Sequence, residues 1–290
     1  MPYVIILFKI KISILPLCNY LNKINKCWTT IPNSAIITSI RRWHIMRVEL
    51  LFGLEKPSLP TDNRAIFVSF LKKTLEQSHE GHFFERYFGG TARKDYSFSI
   101  ILDKPRYEGE RIQLKTPRLK MIFSADDRNR TGLIFSMAFM GMKYKKFPLP
   151  EKNAMTLKRI AHVKENVIIS NRVMFRTIPG GGLVVRDHSR ETNRDKYYVI
   201  GEEQFEEKAR QSLMRQAMEA GFPKRLAKEI KFQPVSGKKV VSRLYGIMID
   251  VSAITFIVEA DSMILQYFYQ AGASSRTAIG YGLCSVIEQL

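Results

Sequence analysis

The chain has 290 residues, 45% of them hydrophobic, and its 46 lysines and arginines against 27 acids give a formal net charge of +19. The hydrophobic content is enough to bury a core, which excludes disorder of the whole chain. The charge produces a field that concentrates polyanions, so nucleic acid is the first partner to consider.

Two further features of the composition limit the location of the protein. An anionic membrane surface would also attract the charge, but no basic amphipathic helix stands out to dock on one. The apolar run from Tyr3 to Leu17 contains two lysines and is too short to span a bilayer. Cys18, Cys27 and Cys284 have spacings that match neither a disulfide framework nor a zinc knuckle, which favours a reducing cytoplasm.

Residues 1–45 differ from the rest of the chain, because they contain six basic residues and no acid. A signal peptide fits poorly, since lysines interrupt its apolar part and no small-residue cleavage site follows. Arg41-Arg42-Trp43 can be encoded by AGG-AGG-TGG, a purine-rich sequence that pairs with bacterial ribosomes, and Met46 follows within a few codons. We therefore hypothesise that residues 1–45 are translated leader and that Met46 is the native start, which leaves a net charge of +13.

The first half of the chain after Met46 has a recognisable order of predicted elements. The clearest is a helix over 64–77, where apolar residues recur at helical spacing and Asp62 or Asn63 can cap the first turn. The whole predicted order is a strand (46–52), a proline-bounded loop (56–60), the helix, a strand (96–102), a strand broken near Pro117 (111–124), an apolar helix (133–142) and a strand (156–162). The phenylalanines of 133–142 would also suit a strand. Strand, helix, strand, strand, helix, strand is the order of a ferredoxin-like unit.

The second half repeats this order without repeating the sequence. Its predicted elements are extended segments (167–177 and 183–186), a helix ended by Gly221 and Pro223 (202–220), two strands (within 239–259), a helix capped by Asp261 (262–270) and a last strand (283–287). We therefore predict an α+β fold of two tandem ferredoxin-like (RRM-like) domains, with antiparallel sheets and helices on one face of each. The predicted domains are residues 46–168 and 169–290.

Residues 271–282 form a segment rich in glycine and other small residues. Small residues let a backbone approach a phosphate closely, and exposed N–H groups together with Arg276 could bind it. The segment is not a Walker loop, because no Gly-Lys-Ser or Gly-Lys-Thr follows, and it is not a dinucleotide fingerprint, because a strand follows it. The alternative is a tight turn whose glycines serve backbone geometry only.

This segment resembles the C-terminal glycine-rich loop of the CRISPR-associated repeat-processing endoribonucleases, the Cas-six family of the RAMP superfamily. The residues that match the family pattern at the same spacing are Gly272, Gly280, Tyr281 and Gly282. Arg276 supplies the basic middle of the pattern, and Ser274 replaces its second glycine. Shorter matches extend the resemblance over residues 46–290.

The resemblance implies a function as well as a fold. Members of the family bind CRISPR repeat RNA and cut it by attack of a ribose 2′-hydroxyl on its own phosphate, with no cofactor and no metal site. The precursor RNA becomes crRNA, with a 5′-hydroxyl and a 2′,3′-cyclic or 3′-phosphate end, and the enzyme can remain in a CRISPR interference complex. The RNA-binding residues implied here are Arg93, Gly272, Ser274, Ser275, Arg276, Thr277, Gly280 and Gly282.

The resemblance also places candidate catalytic residues after the first helix. His79 and His82 lie where the family carries its catalytic histidine, and Lys94 lies where some relatives carry a lysine that stabilises the phosphate. Histidine suits the proton transfers because its unperturbed pKa is near neutrality. The alternatives are exposed polar histidines at a helix end and, for Arg93 and Lys94, a solvated basic turn. A zinc site is a poorer interpretation, because His-Glu-Gly-His lacks one residue of the zincin pattern.

Other candidates and other functions are less well supported by the sequence. Tyr87 could donate a proton, but it falls in an aromatic stripe that we expect to pack in the core. His162 and His188 are expected to be structural or surface residues. A non-catalytic RNA-binding or scaffold protein on the same fold remains the main alternative, and a metal-dependent nuclease is a weaker one.

Overall fold

The computed structural model describes residues 47–189, 191 and 193–290, so the leader hypothesis for residues 1–45 and the start at Met46 lie outside the described residues. The strands are β1 (Arg47–Leu54), β2 (Ser58–Pro60), β3 (Tyr96–Leu102), β4 (Arg106–Glu108), β5 (Arg111–Gln113), β6 (Arg118–Ala125), β7 (Lys146–Leu149), β8 (Asn153–His162), β9 (Arg172–Thr177), β10 (Val185–Ser189), β11 (Arg194–Tyr198), β12 (Lys231–Leu244), β13 (Ile247–Glu259) and β14 (Cys284–Gln289). The helices are α1 (Arg64–Glu76), α2 (Phe84–Phe88), α3 (Thr131–Met142), α4 (Phe205–Glu219), α5 (Lys224–Lys228) and α6 (Ser262–Ala271). Single 3-10 turns are η1 (His79–Gly81) and η2 (Thr277–Ile279).

The N-terminal sheet is antiparallel, with strand order β3-β6-β1-β8-β7. Leaving out the edge strand β7, this is the order of a ferredoxin-like sheet. Helices α1 and α3 share an aromatic core with one face of the sheet: Phe70 of α1 lies 5.1 Å from Phe52 of β1, and Phe135 of α3 lies 4.7 Å from Phe123 of β6. In α1, the apolar spacing that predicted the helix is thus the spacing that buries Phe70.

The C-terminal sheet repeats the same topology, with antiparallel order β12-β13-β9-β14. Phe256 of β13 packs 5.8 Å from Phe175 and 5.2 Å from Phe232, and Phe205 of α4 lies 6.0 Å from Phe232. The α+β fold of two ferredoxin-like units is therefore confirmed. The boundary at residue 168 stays a prediction, although it falls between the last strand of one sheet and the first strand of the other.

Several local predictions were wrong for identifiable reasons. Strand β12 begins at Lys231, eight residues before the predicted start at Lys239, because a register shift between Pro234 and Ser236 accommodates the proline in an edge strand. The predicted loop over 56–60 contains β2, which pairs with β5. The hairpin of β10 and β11 was not predicted beyond its first residues.

The two predicted helix caps had different outcomes. Asp261 caps α6 as predicted, since its carboxylate accepts from the Met263 amide at 2.9 Å. Asn63 occupies the N-cap position of α1, but its side chain makes no cap hydrogen bond. Asp62 accepts instead from the amide of Gly246, at the tip of the β12–β13 hairpin, at 2.7 Å.

Two buried arginines join the N-terminal sheet layer to the second half of the chain. Arg47 donates from Nη2 to the Tyr269 carbonyl at 2.7 Å and from Nη1 to the Cys284 carbonyl at 3.0 Å. Its side chain is almost fully buried, and burial lowers the pKa of its guanidinium while the nearby Tyr269 opposes the change. A buried cation without hydrogen bonds is costly, so these carbonyls fix how the two parts meet.

Arg64 makes the second junction. It donates from Nη2 to the Gly180 carbonyl at 2.7 Å and from Nη1 to the Gly280 carbonyl, and its guanidinium lies 3.7 Å from the centre of the Tyr281 ring. Burial lowers the pKa of Arg64, and Tyr281 opposes that shift.

Across the described ranges, no helix has the length and apolar composition needed to cross a membrane.

Candidate functional site

A cleft of about 840 Å³ opens beside the glycine-rich segment. Its basic side chains come from the loop after α2, the hairpin β10–β11, helix α4 and the segment itself: Arg93, Lys94, Arg186, His188, Arg215 and Arg276. Asp187 and Glu219 are its acidic side chains. The cleft therefore has the positive charge that an anionic ligand requires. It also contains Ser275 and Thr277, so five of the residues predicted from distant parts of the sequence meet there.

The glycines of the segment serve close packing against the N-terminal sheet. Gly280 has a φ of +91°, and a Cβ there would lie 2.6 Å from Nη1 of Arg64 and 2.7 Å from the ring of Phe98. A Cβ on Gly272, whose φ is +84°, would lie 2.7 Å from the Cβ of Ser97. Ser97 in turn donates to the Tyr281 carbonyl at 2.7 Å. At these positions glycine is required by backbone geometry, which was the alternative interpretation of the sequence.

The backbone N–H groups of the segment are used inside the protein. The Ser274 amide donates to Oε1 of Gln216 at 3.2 Å, the Ser275 amide donates to the Val184 carbonyl at 2.9 Å, and the Gly282 amide donates to the Gly182 carbonyl at 2.7 Å. The expectation that exposed N–H groups here would cradle a phosphate is wrong for these three residues. At these three positions the backbone is therefore committed to the fold and does not face an anion.

Asp195 organises the basic side chains on one wall of the cleft. Its Oδ2 lies 3.0 Å from Nη2 of Arg276, and its Oδ1 lies 2.7 Å from Nε of Arg186 and 2.8 Å from Nδ1 of His188. Burial alone would raise the pKa of the Asp195 carboxyl, but the hydrogen bonds from Arg186 and His188 and the charges of Arg186 and Arg276 outweigh it and lower that pKa. The ionised carboxylate therefore holds Arg276 at the rim of the segment.

Arg93 and Lys94 form the opposite side of the cleft. Arg93 donates from Nη2 to the Ser274 carbonyl at 2.6 Å, and its Nη1 lies 3.5 Å from Glu219. Lys94 donates to the Gly90 carbonyl at 2.9 Å, and partial burial lowers the pKa of its ammonium group while the charge of Asp95 opposes this. Both residues line the cleft, and Arg93 also fixes the carbonyl of Ser274 in the glycine-rich segment.

The predicted catalytic histidines lie on the turn after α1. His79 begins η1, and its side chain lies outside the described part of the structure. His82 follows η1, is exposed and stacks edge-on against Phe83 with ring centres 5.1 Å apart. His82 does not line the cleft. The catalytic assignment of both residues stays a prediction.

The remaining candidates separate clearly. Tyr87 is buried, shares a 2.7 Å hydrogen bond with Thr131 and has its pKa raised by burial, which confirms that it packs in the core. His162 is exposed at the end of β8. His188 lines the cleft, which the sequence did not reveal, because its partner Asp195 is brought to it by the register of β10 and β11. No three His, Cys, Asp or Glu side chains gather as metal ligands among the residues described.

The C-terminal part of the chain matches a known family. Residues 163–286 match the family described as CRISPR associated protein Cas6, C-terminal. The matched residues make up less than half of the chain, and they include hairpin β10–β11 and the glycine-rich segment.

Solved structures share the fold of this chain. A structure titled as a Cas6-related gene from Pyrococcus furiosus is 18% identical, with a TM-score of 0.69, and the match covers 84% of this chain and 99% of that one. One titled "An RAMP protein binding different RNA substrates" is 18% identical, with a TM-score of 0.67, over 84% of this chain and 100% of that one. A Cas6 product complex is 13% identical, with a TM-score of 0.57, over 83% of this chain and 99% of that one. No curated protein matches the sequence.

Replacement of Gly280 by alanine tests the packing of the glycine-rich segment. We expect Gly280→Ala to lower the free energy of unfolding by about 1–3 kcal/mol, because it forces a side chain into the left-handed region and against Arg64. Gly141→Ala is the matched control, since nothing lies within 4 Å of a Cβ at that position in α3. This control should raise stability by about 0.4–1 kcal/mol. Urea denaturation measures both, and equal stability of the two variants would contradict the packing role.

Proposed function

We propose that this protein is a metal-independent endoribonuclease that cleaves CRISPR repeat transcripts to give mature crRNA. The observation that carries the proposal is the cleft, where Arg93 and Lys94 meet Ser275, Arg276 and Thr277 in a chain with a Cas6 C-terminal domain. The fold shared with a Cas6 product complex and with an RNA-binding RAMP protein supports it. The substrate is a transcript, and we place the reaction in the cytoplasm.

The proposed reaction needs three catalytic groups from the protein. A base removes the proton of the ribose 2′-hydroxyl, an acid protonates the leaving 5′-oxygen, and a cation stabilises the charge that develops on the phosphate. Within the pair His79 and His82, we assign one histidine as the base and the other as the acid or as a group that orients the RNA, and we assign the phosphate to Lys94. Because the nucleophile belongs to the RNA, neither a metal-bound water nor a cofactor is needed.

We restrict the proposed RNA contacts to the residues that line the cleft. Arg93, Ser275, Arg276 and Thr277 meet this condition. The remaining predicted contacts are packed inside the protein, where they shape the segment that carries Arg276: Gly272, Ser274, Gly280 and Gly282. We further propose that the protein can hand its product to, or stay in, a CRISPR interference complex.

A second candidate function is a non-catalytic RNA-binding or scaffold protein. The observation that favours it is the position of His82, which is exposed on the turn after α1 and does not line the cleft. On this alternative the basic cleft binds the repeat and no bond is broken. The experiments below separate the two functions.

The metal independence of cleavage can be tested directly. Incubation of the protein with its cognate repeat RNA in excess EDTA should give full cleavage, with 5′-hydroxyl and 2′,3′-cyclic or 3′-phosphate ends, because the 2′-hydroxyl is the nucleophile. Gel analysis with end-group labelling measures the products. The mechanism would be overturned by an RNA that stays intact in EDTA and is cut when Mg²⁺ is added.

The cleft residues can be tested through the salt dependence of binding. Arg276→Ala, alone or with Lys94→Ala, should weaken the affinity for repeat RNA and make that affinity less dependent on salt concentration. The reason is that binding releases fewer counterions from the RNA when a phosphate contact is lost. Arg118→Ala is the control for lost charge, because Arg118 is exposed on β6 and does not line the cleft. Filter binding at several salt concentrations gives both quantities. Cleft variants that behave like Arg118→Ala would remove these residues from the interface.

The predicted histidine pair separates an enzyme from a scaffold. If one histidine is the base, its replacement by alanine should lower the single-turnover rate by roughly a hundredfold or more and leave repeat affinity almost unchanged. If both share the work, the double variant His79→Ala with His82→Ala should lose more than either single variant. Full cleavage by the double variant would refute the assignment.

A further inference from the structure

His188 and Asp195 form a histidine–carboxylate pair on the cleft wall. They face each other across hairpin β10–β11, with Nδ1 of His188 2.8 Å from Oδ1 of Asp195. Since the carboxylate engages Nδ1, that nitrogen carries a proton and the chemistry of the ring falls to Nε2. The His188 side chain is 38% exposed, so a ligand in the cleft can reach it.

The charges around His188 define its electrostatic setting. Asp195 faces it from β11, and Asp187 precedes it on β10, where it pairs with Lys208 at 2.6 Å. Arg186 and Arg276 both approach Asp195. The remaining cations of the cleft are Arg93, Lys94 and Arg215. A carboxylate that orients an imidazole and stabilises its protonated form is the arrangement that general acid–base catalysis uses.

The same cleft contains the cationic side chains that we propose to bind the phosphate, Lys94 and Arg276. Lys94 comes from the N-terminal unit, while Arg276 shares Asp195 with His188. A phosphate bound by these cations lies in the cleft that His188 lines. His82, in contrast, does not line this cleft. The position therefore favours His188 for a proton transfer at the reacting phosphate.

We infer that His188 is a further catalytic residue, the general acid that protonates the leaving 5′-oxygen, and that Asp195 is its positioning residue. This inference rests on the proposed function. The 2′-oxygen forms a bond to phosphorus as the bond from phosphorus to the 5′-oxygen breaks. The proton of Nε2 passes to the 5′-oxygen, and the proton of the 2′-hydroxyl passes to a base of the His79 and His82 pair. The products are a 2′,3′-cyclic phosphate and a 5′-hydroxyl, with no further reactant.

A sulfur-substituted RNA tests this role. In the repeat with sulfur in place of the 5′-oxygen at the mapped cleavage site, the leaving thiolate departs without being protonated. His188→Asn keeps a side-chain donor for Asp195 and removes the transferable proton. His188→Ala removes both. His162→Ala is the matched control, because His162 is exposed on β8 and does not line the cleft.

Single-turnover rates at saturating protein give the readout. On the all-oxygen RNA, both His188 variants should be slower than wild type by about a hundredfold or more, and on the sulfur RNA they should be within about threefold of it. His162→Ala should match wild type on both. Asp195→Asn should lower the rate on the all-oxygen RNA by a smaller factor and leave the rate on the sulfur RNA near that of wild type, because Asp195 acts through His188.

Two results would overturn the inference while leaving the proposed function intact. One is equal slowing of the His188 variants on both RNAs, which would make the residue a binding or structural group. The other is cleavage of the all-oxygen RNA by the His188 variants at the wild-type rate. Wild-type protein that cleaves neither RNA would overturn the proposed function and this inference together.

Discussion

Arg47 and Arg64 are buried cations whose partners are backbone carbonyls of the second half of the chain. A guanidinium group removed from water must have its N–H groups satisfied, and a carbonyl offers hydrogen bonds without a second charge. The contacts of Arg64 therefore tie helix α1 to Gly180 and Gly280, the two glycine-rich turns that face the N-terminal sheet.

The fixed segment is what gives the cleft its composition. Because the carbonyl of Ser274 receives Arg93 and the amide of Ser275 is bonded to Val184, the next residue, Arg276, is presented at the cleft rim. Asp195 then draws Arg276, Arg186 and His188 together. One carboxylate does not neutralise the cleft, since Arg186 and Arg276 both pair with Asp195. These contacts restrict the freedom of the long arginine side chains. A preorganised cationic wall binds an anion with less loss of entropy.

The division of labour between the two ferredoxin-like units follows from this arrangement. In the proposed mechanism, the N-terminal unit supplies Lys94 and the histidines of the turn after α1, while the C-terminal unit supplies Arg276 and the pair of His188 and Asp195. An RNA phosphate held between the units would meet groups from both. An acid and a base on separate units could act on opposite sides of one phosphate, as in-line displacement requires, and the rigid junction would keep their spacing constant.

The sequence alone determined the elements whose signals are local. Apolar spacing located α1, and Gly272, Gly280 and Gly282 carried the resemblance to a family, because periodicity and short motifs are written in neighbouring residues. Only the tertiary structure decided what the glycines do, since the atoms that exclude a side chain at Gly280 come from Arg64 and Phe98, about two hundred residues away. The tertiary structure also decided the place of His188. Its contact with Asp195 depends on the register of one hairpin, and its position in the same cleft as Lys94 depends on the packing of the two sheets. Such pairings are set by the folded chain as a whole, and no pattern within the sequence encodes them.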